Sequence, residues 1–262
     1  MKLKKKNILA ILIVIILLIL VLIFYQKNSG TYSNFKLKDE QENITKAQTE
    51  INNVVGWLRV EGTNIDMVLI ASMNQEILDK DDYQYAWTNS YPDTKSNHLF
   101  FISHNIRNVS RNPVVADKNM NYFEQLMSFI YEDFASKNQF IELTTKDGTT
   151  SMYRIYGISL VNENQSLSYY DTFTKKEQKE YIQKAQKESM YDINVKVDQN
   201  DDLLTLYTCT RFYGGGGTYS FRVDARKMHK GEQMKYAKVK TNNNYQKIKK
   251  RMEKGVESNE KI

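Results

Sequence analysis

The most pronounced pattern in the chain is an unbroken apolar run near its N-terminus. Ile8 to Tyr25 are 18 consecutive apolar or aromatic residues without a charge. At roughly 1.5 Å per residue, such a helix spans most of a hydrocarbon core of about 30 Å, which predicts a transmembrane anchor over residues 7–25. The lysine-rich tip at residues 1–6 predicts a cytoplasmic N-terminus and an outward-facing remainder. A cleaved signal peptide is disfavoured, because residues 26–31 lack a small-x-small cleavage site.

Beyond the anchor, short apolar or alternating stretches predict β-strands. These strands lie at Trp57–Val60, Ile65–Ile70, Leu99–Ser103, Phe140–Thr144, Met152–Val161, Leu203–Thr208 and Thr218–Ala225. Apolar residues at helical spacing predict an amphipathic helix over Asn121–Ser136 and a surface helix over Lys175–Ser189. Because strands dominate, the predicted fold class is mostly β, a mostly antiparallel barrel or sandwich with inserted helices.

Polar segments flank this strand-rich region. The polar composition of residues 26–52 predicts a stalk or a loosely packed N-terminal helix. Residues 53–228 are long enough for a single domain, and the composition of residues 229–262 predicts a basic polar tail that is helical or disordered. The formal net charge is +6, but four positive charges are lysines of the N-terminal tip. The small remaining excess gives no reason to expect nucleic acid as a partner, and a basic tail is usually a solvated face.

A lone cysteine supplies the first candidate for chemistry. Cys209 follows the predicted strand Leu203–Thr208 and is the one cysteine of the chain, so no intramolecular disulfide can form. A thiol attacks only as the thiolate, which needs a basic or positive neighbour and an exposed position. The alternative is a buried cysteine that packs as a small apolar residue.

Three histidines are candidate partners of this thiol. His104 directly follows the predicted strand Leu99–Ser103, and the end of a strand is where a barrel displays functional side chains. His98 stands at the opposite end of the same strand, and His229 lies in the polar tail. Position therefore favours His104, with a solvated loop histidine as the alternative reading.

An arginine completes the candidate set. Alternation within Thr218–Ala225 places Arg222 on the face away from the core, so it is predicted to line a surface or a groove. A guanidinium there can donate hydrogen bonds to a substrate carbonyl or to a developing oxyanion. Arg211 follows Cys209 more closely and is the alternative, although it borders the glycine run at 214–217.

These residues resemble the active-site motifs of sortases, the membrane-anchored transpeptidases of Gram-positive surfaces. Thr205 to Cys209 reads Thr-Leu-Tyr-Thr-Cys and resembles the sortase signature Thr-Leu-x-Thr-Cys. His104 with Asn105 is similar to the sortase His-Asn pair, and Arg222 follows at a distance like that of the sortase arginine. The resemblance covers about residues 54–228, and the helix at Lys175–Ser189 resembles one that distinguishes class B sortases.

The resemblance implies an eight-stranded sortase-type β-barrel and a cysteine transpeptidase. Cys209 would attack the carbonyl after Thr in an Asn-Pro-x-Thr-type sorting signal and form a thioacyl enzyme. His104 would serve as general acid and then as general base. Arg222 would hold the oxyanion, and Thr208 and Asn105 would contribute to substrate binding or the oxyanion site.

The implied partners are surface proteins or pilins that carry a sorting signal, and an amine acceptor on a lipid-linked cell-wall precursor or a pilin. The implied location is the cell membrane, with a single pass and an extracellular domain. No cofactor and no metal site are expected; the scattered histidines argue against zinc, whereas calcium dependence stays open because carboxylates alone do not decide it. Tyr207 and Thr210 depart from residues that class B members carry at these positions. The long segment between Asn105 and Asn121 and the glycine run at 214–217 leave wall anchoring and pilin polymerisation both open. A thiol hydrolase and a non-catalytic membrane-anchored surface domain on a sortase-like barrel are the alternatives.

Overall fold

A closed barrel of eight strands forms the body of the protein in the computed structural model, which describes residues 13–19, 30–71, 84–88, 96–105, 121–162, 172–210, 212–213 and 219–259. The strands are β1 (Val54–Val60), β2 (Asp66–Ile70), β3 (Tyr85–Trp87), β4 (His98–Ile102), β5 (Phe140–Thr145), β6 (Thr150–Asn162), β7 (Tyr191–Ile193), β8 (Leu203–Thr210), β9 (Tyr219–Lys227) and β10 (Val239–Thr241). Around the barrel the order is β1-β2-β3-β4-β8-β9-β6-β5, and β5 pairs with β1 to close it. The predicted mostly β fold and eight-stranded barrel are confirmed.

Helices occupy the connections and the flanks of the barrel. They are α1 (Gln41–Glu50), a 3-10 helix (Tyr122–Ile130), α2 (Glu132–Lys137), α3 (Lys175–Glu188) and α4 (Asn243–Asn259). Helix α3 matches the predicted surface helix, and the residue before it, Thr174, caps it with a hydroxyl that accepts a hydrogen bond from the N–H of Glu177. Such a cap satisfies a backbone donor that the first turn of a helix leaves unpaired.

Two strand pairs of the barrel are parallel, whereas the others are antiparallel. Strand β2 pairs with β3 in parallel, and β4 pairs with β8 in parallel from His98 opposite Leu203 to Ile102 opposite Tyr207. A parallel pair needs a long crossover connection, and for β4 and β8 this connection includes the barrel strands β5 and β6. As a result, the carboxyl ends of β4 and β8 leave the barrel at the same edge.

The segment predicted as one amphipathic helix over Asn121–Ser136 is two helices. Tyr131 separates them, because its backbone is extended, with φ −93° and ψ 126°. Every residue from Phe123 to Ile130 is buried, and the buried Gln125 accepts a hydrogen bond from the N–H of Asn64 at 2.7 Å. The 3-10 helix is therefore buried on all sides from Phe123 to Ile130. The predicted amphipathic helix has only one apolar face and so did not indicate this complete burial.

Both polar flanks contribute to the folded domain. In the predicted stalk, α1 buries Ile44 and Ala47. In the predicted tail, β10 pairs with β7, and α4 buries Ile248 against the main core. Each of these two segments contains a helix, and a few apolar residues anchor it where it meets the barrel.

The predicted membrane anchor lies mostly outside the described residues. Residues 13–19 of it are described and are helical. Within the described ranges, no helix is both long enough and apolar enough to cross a bilayer.

The seam that closes the barrel generates a stability prediction. Gly56 of β1 lies against the backbone carbonyl of Thr144 in β5, so an added Cβ would force the two strands apart. We expect Gly56→Ala to lower the free energy of unfolding by about 1–3 kcal/mol. Chemical denaturation monitored by tryptophan fluorescence measures this loss.

Gly157→Ala is the matched control, since Gly157 is also a strand glycine but a Cβ there would meet its nearest neighbour at an ordinary 3.4 Å. It should change the free energy of unfolding by less than about 1 kcal/mol. Equal losses in both variants would contradict the predicted crowding at the seam.

Candidate active site

Cys209 presents its side chain at the end of β8. It is the second-last residue of the strand and is exposed, whereas Thr208 and Thr210 on either side are buried. Alternation explains this, because successive side chains of a strand point to opposite faces. The predicted exposed thiol is therefore present, and a buried structural cysteine is excluded.

His104 lies beside Cys209 because β4 and β8 run parallel. Ile102 is the register partner of Tyr207, so His104 and Cys209 each stand two residues further along neighbouring chains. The pairing continues past β4, since the N–H of Ser103 donates to the carbonyl of Tyr207 at 3.3 Å. Neighbouring strands lie about 4.8 Å apart, so the backbones of His104 and Cys209 lie on adjacent chains at the same edge of the barrel.

Three aromatic rings surround His104. Its ring centroid is 5.0 Å from that of Trp87, 5.7 Å from that of Tyr122 and 6.1 Å from that of Tyr85. Tyr122 has a left-handed backbone, with φ 52°, which is uncommon for a residue other than glycine. Its N–H donates to the side-chain oxygen of Gln84 at 2.7 Å, which helps to hold this conformation. We call these three rings the aromatic box.

The aromatic box changes the acid–base behaviour of the imidazole. Burial among the rings lowers the pKa of His104 below its usual value of 6.5, because the charged form loses hydration that the rings do not replace. The neutral imidazole is therefore favoured in the resting protein.

Asn105 and Thr208, both predicted at the substrate, have different surroundings. The side-chain oxygen and nitrogen of Asn105 are both buried and have no hydrogen-bond partner in the structure as described. A buried amide without partners is costly, and a ligand that pairs with it removes that cost. The Thr208 hydroxyl instead donates to the carbonyl of Ser103 at 2.8 Å, so it ties β8 to the chain that follows β4.

Arg222 does not line a groove, which corrects the prediction from alternation. Its side chain points away from the barrel interior as expected, but it is 0% exposed. Its Nε lies 2.7 Å from Asp224 Oδ2, and its Nη2 lies 3.0 Å from Glu188 Oε2 at the end of α3. In the β8–β9 register Arg222 stands opposite Tyr207, and Ser220 stands opposite Cys209.

The remaining candidates lie elsewhere or outside the described residues. His98 is buried at the far end of β4, with its Nε2 2.9 Å from the Thr205 hydroxyl. His229 pairs with Asp201 beyond β9. Arg211 and the glycine run at 214–217 fall outside the described ranges, so the structure adds nothing about them.

Sequence reasoning missed the aromatic box. The alternating aromatics Tyr85 and Trp87 are a signal for a short strand, and β3 is that strand. Tyr122 gives no such signal, because the apolar spacing of Asn121–Ser136 predicts a regular helix there. The box forms only when β3, the end of β4 and the 3-10 helix meet.

Comparison with known proteins places this geometry in a family. The family model for the sortase domain matches residues 58–228, which is more than half of the chain. Sortase B of Listeria monocytogenes is 25% identical over 195 residues, which cover 71% of this chain and 73% of that protein.

Solved structures show the same fold. A mutant form of Clostridium perfringens sortase B has a TM-score of 0.58 and 18% identity over 72% of this chain and 87% of that one. A Staphylococcus aureus sortase B-substrate complex has a TM-score of 0.56 and 16% identity over 72% of this chain and 85% of that one. The relatives named here are all class B enzymes, which supports the predicted class. The chain therefore belongs to the sortase family.

Proposed function

We propose that the protein is a class B-like sortase transpeptidase that uses Cys209 as nucleophile and His104 as general acid and base. The observation that carries this proposal is the parallel β4–β8 pairing, which brings the exposed thiol and the imidazole to one edge of the barrel. The alternative of a non-catalytic surface domain required a buried cysteine remote from these groups, and Cys209 is exposed.

The chemistry proceeds in two acyl transfers. The Cys209 thiol gives its proton to the neutral His104 imidazole, and the resulting thiolate attacks the carbonyl carbon of the Thr in an Asn-Pro-x-Thr-type sorting signal to form a tetrahedral oxyanion. The C–N bond then breaks, and the protonated imidazole of His104 gives its proton to the leaving amine. An incoming amine attacks the thioester, gives its proton to His104 and releases the thiolate.

The neighbouring groups suit the substrate and the oxyanion. The unpaired side-chain amide of Asn105 can accept from and donate to the peptide backbone of the signal. Backbone N–H groups beside Cys209 and one arginine are the proposed oxyanion donors, and Arg222 and Arg211 are the arginines that the sequence offers for this role.

The proposed location follows from the apolar run at the N-terminus. An anchor over residues 7–25 would hold the domain at the outer face of the cell membrane. Proteins that carry a sorting signal and a lipid-linked or pilin amine acceptor would meet there. The Staphylococcus aureus sortase B-substrate complex, which shares this fold, supports a substrate-binding role for the domain.

A covalent intermediate is the first functional prediction. The full chain in detergent, incubated with an Asn-Pro-x-Thr peptide, should gain the mass of the acyl fragment on Cys209, because the thiolate displaces the amine. Adding a glycine-based amine should discharge it to a new amide. Intact mass spectrometry followed by peptide mapping measures both steps.

Cys209→Ala should form neither species, whereas Thr210→Ser, which alters the buried neighbouring residue, should retain both. An unmodified parent protein with every such peptide would contradict the enzymatic proposal. An adduct that only water discharges would favour a thiol hydrolase.

The aromatic box generates a pH prediction. The His104 imidazole should titrate below 6.5, and Tyr122→Ala should move its pKa back towards 6.5 because water then reaches the ring. The folded pKa is lowered, so the unfolded chain binds the proton more readily. His104 therefore destabilises the fold as pH falls through the unfolded value near 6.5.

NMR titration of the ring protons measures this pKa, with His104→Gln used to assign the signal. Tyr32→Ala, which removes an exposed ring outside the box, should leave the His104 midpoint unchanged. A His104 midpoint above 6.5 in the parent chain would refute the desolvation argument.

A further inference from the structure

The chain continues as folded structure beyond the part that the sortase family model matches. That match ends at residue 228, whereas β10 and α4 come later in the chain. Helix α4 packs its buried Ile248 against the main core and leaves Lys247, Lys249 and Arg251 exposed. We call β10 and α4 the C-terminal extension. It adds a basic helix to the domain.

Two asparagines of the C-terminal extension fasten it to the end of α3. The side-chain nitrogen of Asn244 donates to the carbonyl of Lys187 at 2.8 Å and to that of Ser189 at 3.1 Å. The side-chain nitrogen of Asn242 donates to the same Ser189 carbonyl at 2.9 Å. The last carbonyls of a helix have no partner within the helix, so these amides satisfy them. The start of α4 is thereby held against the last turn of α3.

A groove of about 600 Å³ lies between α3, α4 and the ends of β6 and β9. Among the residues that the structure describes, three lysines line it, Lys184 and Lys187 from α3 and Lys247 from α4. The other polar or charged lining residues are Asn162, Glu188, Tyr213, Tyr219 and Asn244. Ammonium groups from two separate helices therefore border one concave surface.

Positive charge predominates in this groove. Of the described lining residues, Glu188 is the acidic one, and its carboxylate already lies 3.9 Å from the Lys184 ammonium. Burial raises the pKa of the Tyr213 hydroxyl, and the positive charge of Arg251 opposes that rise. Arg251, one turn of α4 beyond Lys247, therefore adds its charge near the same groove. The groove is suited to an anion.

The groove lies at the barrel edge that carries Cys209. Tyr219, which lines the groove, is the first residue of β9 and the register partner of Thr210, and the next residue of β9 is the partner of Cys209. Partner residues on neighbouring strands have Cα atoms about 5 Å apart, so the groove begins within roughly 10 Å of the nucleophile. A ligand bound in it would lie beside the site of acyl transfer.

Phosphate is the anion that suits this lining best. A phosphate monoester carries about −1.5 to −2 charges and three strong acceptor oxygens, and lysines bind phosphate as point charges. Amide and hydroxyl donors beside the lysines can donate to the remaining oxygens. A carboxylate has one charge and two oxygens, so it would leave more of these donors without a partner.

We propose that the C-terminal extension and α3 form a binding site for a phosphate or pyrophosphate group, with Lys187 and Lys247 as its principal ligands. The group belongs either to a lipid headgroup or to a water-soluble compound. Its significance for acyl transfer rests on the proposed transpeptidase function, whereas phosphate binding itself does not.

The test measures binding of inorganic pyrophosphate to the full chain in a non-ionic detergent by isothermal titration calorimetry. The groove variant combines Lys187→Ala with Lys247→Ala. The control variant combines Lys176→Ala with Lys249→Ala, which removes the same charge from the same two helices but outside the groove lining. A difference between the variants therefore reports on the groove and not on net charge.

The groove variant should weaken pyrophosphate binding at least about tenfold, because the anion loses two charged partners. The control variant should stay within about threefold of the parent, since salt screens exposed charges that do not touch the ligand. Thioacyl formation on Cys209 should be unchanged in both variants, because none of these lysines belongs to the proposed catalytic groups.

Phosphatidylglycerol added to the detergent micelles identifies the source of the phosphate, with zwitterionic phosphatidylcholine as the comparison. If a lipid headgroup occupies the groove, phosphatidylglycerol should displace pyrophosphate from the parent and phosphatidylcholine should not. If neither lipid displaces it, the site takes a water-soluble phosphate compound.

Two results would overturn the proposal. One is a parent chain that binds no pyrophosphate at millimolar concentration. The other is equal weakening in the groove and control variants, which would assign the binding to net charge alone. A parent that binds pyrophosphate but forms no thioacyl enzyme would refute the proposed function and leave the phosphate site standing.

Discussion

Hydrogen bonds between β4 and β8 join two strands that run in the same direction, and the candidate site depends on this pairing. Parallel strands end at the same edge of a sheet, so the residues that follow them are neighbours. His104 and Cys209 occupy those positions. The Thr208 hydroxyl reinforces the pair by bonding to the carbonyl of Ser103, which keeps the two chain ends together where regular strand pairing stops.

The two faces of β8 perform different tasks. Leu204 and Leu206 point into the barrel and join the main apolar core, which stabilises the strand. The opposite face carries Thr205, Tyr207 and Cys209, and it runs from a buried polar network beneath α3 to the solvent. The nucleophile is therefore exposed at the end of a strand whose inner part is firmly held.

Local patterns predicted those features that depend on residues near in sequence. Alternation identified β8 and β9 and the outward direction of Arg222, and the end of a compact apolar strand identified His104. The cover over Arg222 was not predictable in this way, because Glu188 comes from a helix 34 positions earlier in the numbering of the chain. The sequence pattern also did not predict the helix break at Tyr131 or the left-handed backbone of Tyr122, because packing against the barrel determines both.

The sequence by itself determined the strand-rich domain, the lone nucleophile candidate and its resemblance to a known family, because periodicity and short motifs are local properties. Tertiary structure decided which of those side chains meet. It set Cys209 beside His104 through the parallel pair, enclosed His104 in an aromatic box built from two separate segments, and buried Arg222 between two carboxylates. The motif that contains the thiol consists of consecutive residues. The burial of His104 and Arg222 and the charge pairing of Arg222 depend instead on chain segments that only folding brings together.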